Sequence, residues 1–113
     1  MLLQSDVREQ LFRGERLACE LPAKHADHRR FVVVAGFKDA YADDEAWPTL
    51  PWRFRVDGFE VKADIIDEQL DSESVRDFSS RVVSTDELEA AVAVLTGGDV
   101  VFRSAQAVGA PQL

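Results

Sequence analysis

The chain has a single cysteine, Cys19, so no internal disulfide can close and no cysteine-based zinc cluster can assemble. No apolar run approaches the roughly 20 residues that a membrane-spanning helix needs. The N-terminal MLLQSDVREQ lacks the cationic stretch and apolar core that mark a secretory signal. These absences predict a cytoplasmic protein that does not enter a membrane. Basic charge is scarce as well: 13 Lys and Arg stand against 21 Asp and Glu, a net charge of −8 at pH 7. Such a balance repels nucleic acid and anionic membranes, and neither is expected as a partner. The glycine patterns of a P-loop or a dinucleotide-binding turn are missing, as is a nucleophile elbow. Gly97-Gly98-Asp99 follows a helical pattern and reads as a helix stop.

An apolar fraction of 46% over 113 residues is enough for one packed core. The expected organisation is a single globular domain over 1–104 with a flexible C-terminal tail over 105–113, where Gly109 and Pro111 stand. Pro51 to Asp67 carries the most regular pattern. Trp52, Phe54 and Val56 alternate with Arg53 and Arg55, then Asp57-Gly58 intervenes, and Phe59, Val61, Ala63 and Ile65 alternate with Glu60, Lys62 and Asp64. Two period-2 runs joined by Asp-Gly predict a hairpin with a type I′ turn, its apolar side chains on one face and its charges on the other. Arg53 and Arg55 would then pair across strands with Glu60 and Asp64.

Upstream, Asp6 to Arg13 predicts a short helix with Val7 and Leu11 as its buried stripe and Gly14 as its cap. Arg16 to Leu21 predicts a half-buried strand with Leu17, Cys19 and Leu21 inward, ended by Pro22. Pro22 to Arg29 reads as a polar connection. Phe31 to Phe37 is apolar on both faces and predicts a central strand, with Gly36 marking a bulge or a close backbone approach. Val75 to Val83 fits either a helix or a strand, and its serines and valines favour the strand. Ser84 to Gly97 is the strongest helix, with Leu88, Ala91, Val92 and Leu95 on its core side, widened by Val94. Asp99 to Ser104 predicts a last strand. The fold class is α+β: a mostly antiparallel sheet, one strong amphipathic helix (about 85–96) on one face, and a short N-terminal helix.

No residue pattern implies a cofactor or a metal. His25 and His28 flank Asp27, and Glu20 could join them as a third ligand. A polar turn holds ligands loosely, however, and two exposed histidines are the plainer reading. Cys19 has no neighbouring base and reads as a core residue. Asp39, Asp43, Asp44 and Glu45 lack the spacing of a calcium loop.

The remaining signal is acid beside aromatics. Asp39, Tyr41, Asp43, Asp44, Glu45 and Trp47 lie in the long 38–50 connection, and Asp67, Glu68 and Asp71 follow the predicted hairpin. Aromatic anchors in a carboxylate rim suit a basic protein partner, because aromatics supply contact energy and charge supplies steering. The expected function is a non-enzymatic acidic binding protein, immunity- or antitoxin-like, with those nine residues as the partner-binding set. Two readings compete with it. One is a small-molecule-binding or enzymatic α+β domain, with a pocket between the sheet and the 38–50 loop that uses His25, His28 or Asp39. The other is a homodimer formed through Phe31–Phe37 or the wet face of the hairpin.

Overall fold

A computed structural model describes residues 5–38, 51–64, 74–98 and 100–112. The elements are α1 (Ser5–Leu11), β1 (Arg16–Leu21), β2 (His28–Phe37), β3 (Arg53–Lys62), β4 (Val75–Ser84), a 3-10 turn (Thr85–Glu87), α2 (Leu88–Thr96), β5 (Arg103–Ser104) and α3 (Ala105–Val108). The five strands form one sheet in the order β4-β3-β2-β1-β5, and every pairing is antiparallel. This is the α+β architecture that the sequence predicts. Val75–Ser84 is a strand, as its serines and valines favour.

The Asp57-Gly58 hairpin does not form. β3 runs straight through both residues and pairs with all of β2, from His28 opposite Lys62 to Phe37 opposite Arg53. The competing force is the two-sided apolar strand β2. A turn at Asp57-Gly58 would leave half of β2 without a partner on that side, so full-length pairing outweighs the local turn preference. Side chains along a straight strand alternate without a reset, so the two apolar runs of β3 fall on opposite faces. Phe54 and Val56 join the larger core with Leu17, Cys19, Val32, Val34 and Val83, under α1 and α2. Phe59 and Val61 join a second core with Ala18, Phe31, Val33 and Ala105, under α3.

Both longer helices cover the first face. Val7 and Leu11 of α1 are buried there, as are Leu88, Ala91 and Val92 of α2, and Leu95 packs against the cluster. Val94, expected to widen that stripe, is 77% exposed. The hydroxyl of Ser84 donates to Glu87 Oε1 at 2.9 Å before α2, and Gly97 ends it at φ 78°. Trp52 stacks on Phe54 and meets Phe12 edge-on, which makes it part of the first core as its size suggests.

One further expectation needs correction. Among the described residues of the predicted 99–104 strand, Arg103 and Ser104 alone pair with β1, while Val101 is 70% exposed. Residues 105–112 contain α3 and lie against the second face. Arg16 Nη2 donates to the Pro111 carbonyl at 3.0 Å, and Arg29 Nη2 donates to that of Val108 at 3.3 Å while its guanidinium lies over the Phe31 ring. These two arginines strap the segment down, a tertiary contact that local composition does not carry.

Gly36 is a close approach. A Cβ there would lie 2.8 Å from the Leu11 carbonyl oxygen, where α1 crosses β2. At Gly58 the nearest neighbour of such a Cβ is the flexible Leu95 side chain, at 3.4 Å. Gly36→Ala should therefore cost about 1–3 kcal/mol of folding free energy, and Gly58→Ala less than about 1 kcal/mol. Urea denaturation of the two variants checks this; equal losses would contradict a backbone contact between α1 and β2.

Candidate functional site

Straightening β3 has a chemical consequence. The phase that carries Phe59 to the second face turns Glu60, a residue expected on the wet face of a hairpin, towards the first face. Its side chain is 0% exposed. An isolated buried carboxylate would lose several kcal/mol of hydration, so partners must be supplied. β2 supplies the first, because Arg30 lies directly opposite Glu60 and donates from Nε to Oε2 at 2.7 Å. The β1–β2 connection folds over the pair and supplies the rest. Lys24 N donates to Oε2 at 2.7 Å, His25 N donates to Oε1 at 3.1 Å, and His25 Nδ1 donates to Oε1 at 2.9 Å.

β4 closes the cluster from the other side. Its register against β3 slips between Gly58 and Glu60, and Asp77 takes φ 54° at the bulge, a left-handed conformation that Asp tolerates better than most residues. Arg30 Nη2 then reaches Asp77 Oδ2 at 3.0 Å, and His25 Nδ1 lies 3.8 Å from the same oxygen. Burial pushes the Glu60 carboxyl upward. The bonds from Lys24 N, the His25 ring, Arg30 and His25 N outweigh it and hold the group down at about 2.

His25, Glu60 and Asp77 bring three ligand atoms within 4.8 Å of one another, a spacing that a metal could use. The donor set argues otherwise. Each Glu60 oxygen already accepts two hydrogen bonds, and the Arg30 guanidinium bridges Glu60 and Asp77 where a cation would sit. The cluster has its cation, and its geometry is that of a structural node. His28 is separate: its Nδ1 bonds the Ala26 carbonyl at 2.7 Å, its ring centroid is 5.6 Å from that of His25, and its buried Nε2 has no partner among the described residues. Glu20, the other candidate ligand, instead holds Arg29 through two bonds of 3.0 and 2.8 Å. Arg29 lowers the Glu20 carboxyl below its ordinary range, and Glu20 raises the Arg29 guanidinium in return.

Cys19 points inward as expected. Desolvation raises its thiol to about 11 against a smaller opposing effect from the Val32 backbone, so it stays protonated near neutral pH. Arg55 reaches Asp57 at 3.0 Å and Ser80 at 3.3 Å, which replaces its expected pairing with Glu60 or Asp64. It borders a cleft of about 260 Å³ on the second face, lined also by Arg16, Val33, Ala35, Phe59 and Gln112.

All nine residues of the predicted partner-binding set lie outside the described residues: Asp39, Tyr41, Asp43, Asp44, Glu45 and Trp47 in one stretch, and Asp67, Glu68 and Asp71 in another. The flanking strands locate where each stretch departs. Residues 39–50 leave from the Phe37/Arg53 end of the sheet, and residues 65–73 leave from the Lys62/Val75 end. Those ends are about 30 Å apart along β3. His25 and His28 stand at the end away from Lys38. The expected pocket between the sheet and the 38–50 loop falls on residues 39–50, outside the described residues.

Sequence reasoning missed Glu60 and its partners. A usable signal was present: a central strand such as β2 needs a full-length neighbour, and continuous alternation through Asp57-Gly58 puts Glu60 on the side of Phe54 and Val56.

Comparison with known proteins adds nothing to assign: no family model matches the chain, nor does any curated protein or solved structure.

Glu60→Gln removes the charge from the node and leaves Arg30 with Asp77 alone, and should cost about 3–5 kcal/mol. Because folding lowers this carboxyl from 4.5 to about 2, the stability it adds is full above pH 4.5 and drains away as pH falls towards 2. Urea midpoints of the wild type should thus show an acid loss of about 3 kcal/mol that is missing from Glu60→Gln. Parallel pH profiles for the two proteins would contradict the node.

Proposed function

We propose that the chain is a non-enzymatic acidic binding protein that engages a basic protein partner, in the manner of an immunity protein or an antitoxin. The observation that carries this reading is where the charge lies. Acidic and basic side chains nearly balance over the described residues. The excess comes from Asp39, Asp43, Asp44, Glu45, Asp67, Glu68, Asp71, Glu73 and Asp99, which belong to stretches without a single Lys or Arg. Carboxylates of the sheet, by contrast, are largely matched by arginine: Glu20 by Arg29, Asp57 by Arg55, Glu60 and Asp77 by Arg30. An acid surplus that comes from stretches without Lys or Arg gives a field that steers a cationic partner.

The reading places the main contact in 39–47, where Tyr41 and Trp47 accompany the acids and supply anchoring area. Asp67, Glu68 and Asp71 complete the acidic set. A non-catalytic role also agrees with the chemistry of the described residues. Glu60 is saturated, Cys19 is a buried neutral thiol, and the ionic groups at the cleft are engaged: Arg55 with Asp57, and Arg16 with the Pro111 carbonyl.

Calorimetric titration with a purified basic nuclease checks this proposal. Wild-type binding should weaken by about tenfold or more on raising salt from low to physiological strength, and by a similar factor in the Asp43→Lys/Asp44→Lys/Glu45→Lys variant. Binding that ignores both changes would rule out the mechanism, and no binding across a panel of basic nucleases would rule out the partner class.

A further inference from the structure

β4 is a ten-residue strand at the edge of the sheet, and Arg76 through Val82 are all exposed along it. Among the described residues, nothing pairs with its outer side. A free edge of that length is a template for another strand, and proteins normally blunt it with charge or a bulge. β4 has both, in Arg76, Arg81 and the bulge at Asp77, yet it also exposes Phe78 (51%) and Val82 (54%). These two side chains share the second face, since Val82 lies opposite Arg55 and Ser80 opposite Asp57, and Phe78 is one further alternation along. Charges that exclude most strands together with apolar side chains that favour one call for a selective partner.

We propose that the outer edge of β4 pairs antiparallel with β4 of a second copy of this chain, about a two-fold axis at Ser80. A two-fold pairing of identical antiparallel strands sets one residue against itself, so the registers can be compared one by one. Centred on Ser80, Phe78 of each copy lies directly opposite Val82 of the other, twice over and on one continuous face. Arg81 then lies opposite Ser79 and not against the other copy's Arg81, while Arg76 and Asp77 lie at or past the bulge, outside the regular pairing. Centred on Arg81, two guanidinium groups oppose each other. A Ser79 centre sets Phe78 against Ser80 and Val82 against Arg76. Moving the axis to Val82 sets Phe78 against Asp86, beyond the strand. An axis at Phe78 sets that residue against itself but leaves Val82 against Ser74, so only the Ser80 register gives both exposed apolar side chains an apolar partner while keeping like charges from direct opposition. The product is a continuous ten-stranded sheet. This surface contains none of the acidic residues assigned to the basic partner, so the two proposals fail independently.

Sedimentation equilibrium from micromolar to near-millimolar concentration tests it. The wild type should approach twice the chain mass of 12.6 kDa. Phe78→Glu and Val82→Lys should each weaken the dimer by about tenfold or more, through loss of the two apolar pairs. Both sites are exposed on an edge, and circular dichroism checks that the variants fold. The Phe78→Glu/Val82→Lys double variant should dimerise again, now in a salt-sensitive way, because the Ser80 register puts the new acid opposite the new base. A monomeric wild type at the highest concentration overturns the proposal. So does a dimer indifferent to either single change, and so does a double variant that stays monomeric when both single variants do.

Discussion

β3 has no turn at Asp57-Gly58, so nothing resets the phase of its side chains between Phe54 and Val61. That constraint originates in β2, whose apolar side chains on both faces demand a central position and a partner of equal length. Once β3 runs straight, its first half must be covered on one side and its second half on the other. The sheet consequently carries two cores. α1 and α2 close the first, and the C-terminal segment, held by Arg16 and Arg29, closes the second.

The same phase puts a carboxylate indoors, and the surroundings of Glu60 are arranged around that fact. Arg30 stands opposite on β2, the connection after Pro22 contributes two backbone N–H groups and an imidazole, and the Asp77 bulge brings a second acid to the far side of Arg30. A buried pair of this kind adds little over a well-packed apolar pair, whereas removing one member is costly. What it does specify is the course of the β1–β2 connection: residues 24 and 25 are held where no apolar contact would define them.

Much of this architecture was readable because it depends on local periodicity. The stripe of Leu88, Ala91 and Val92, the Val7–Leu11 pair, inward Leu17 and Cys19, and the two-sided β2 all follow from period and composition, and the structure places them accordingly. The Asp57-Gly58 turn was misread for a definite reason. Its preference is local and worth little beside the backbone hydrogen bonds of half a strand. The strapped C-terminal segment was illegible because its tethers come from residues more than 75 positions away in the sequence. Glu60 was assigned to the wet face by the same phase error that created the hairpin. The acidic-aromatic set 39–47 and 67–71 is a matter of composition alone, and the fold adds only the points from which those stretches leave the sheet.

The picture that results is a sheet whose carboxylates are matched by arginine, an acid surplus that comes from the stretches 39–47 and 67–73 and from Asp99, and one long edge that pairs with nothing among the described residues. The matched sheet and its two cores presuppose a straight β3 with Glu60 inside. A carbon-detected NMR titration of the Glu60 side-chain carboxyl measures that placement most directly. The account predicts a midpoint near 2, well below the ordinary 4.5. A midpoint at the ordinary value would place the carboxylate in water, as a hairpin turning at Asp57-Gly58 would, and would contradict the straight strand and the node built on it.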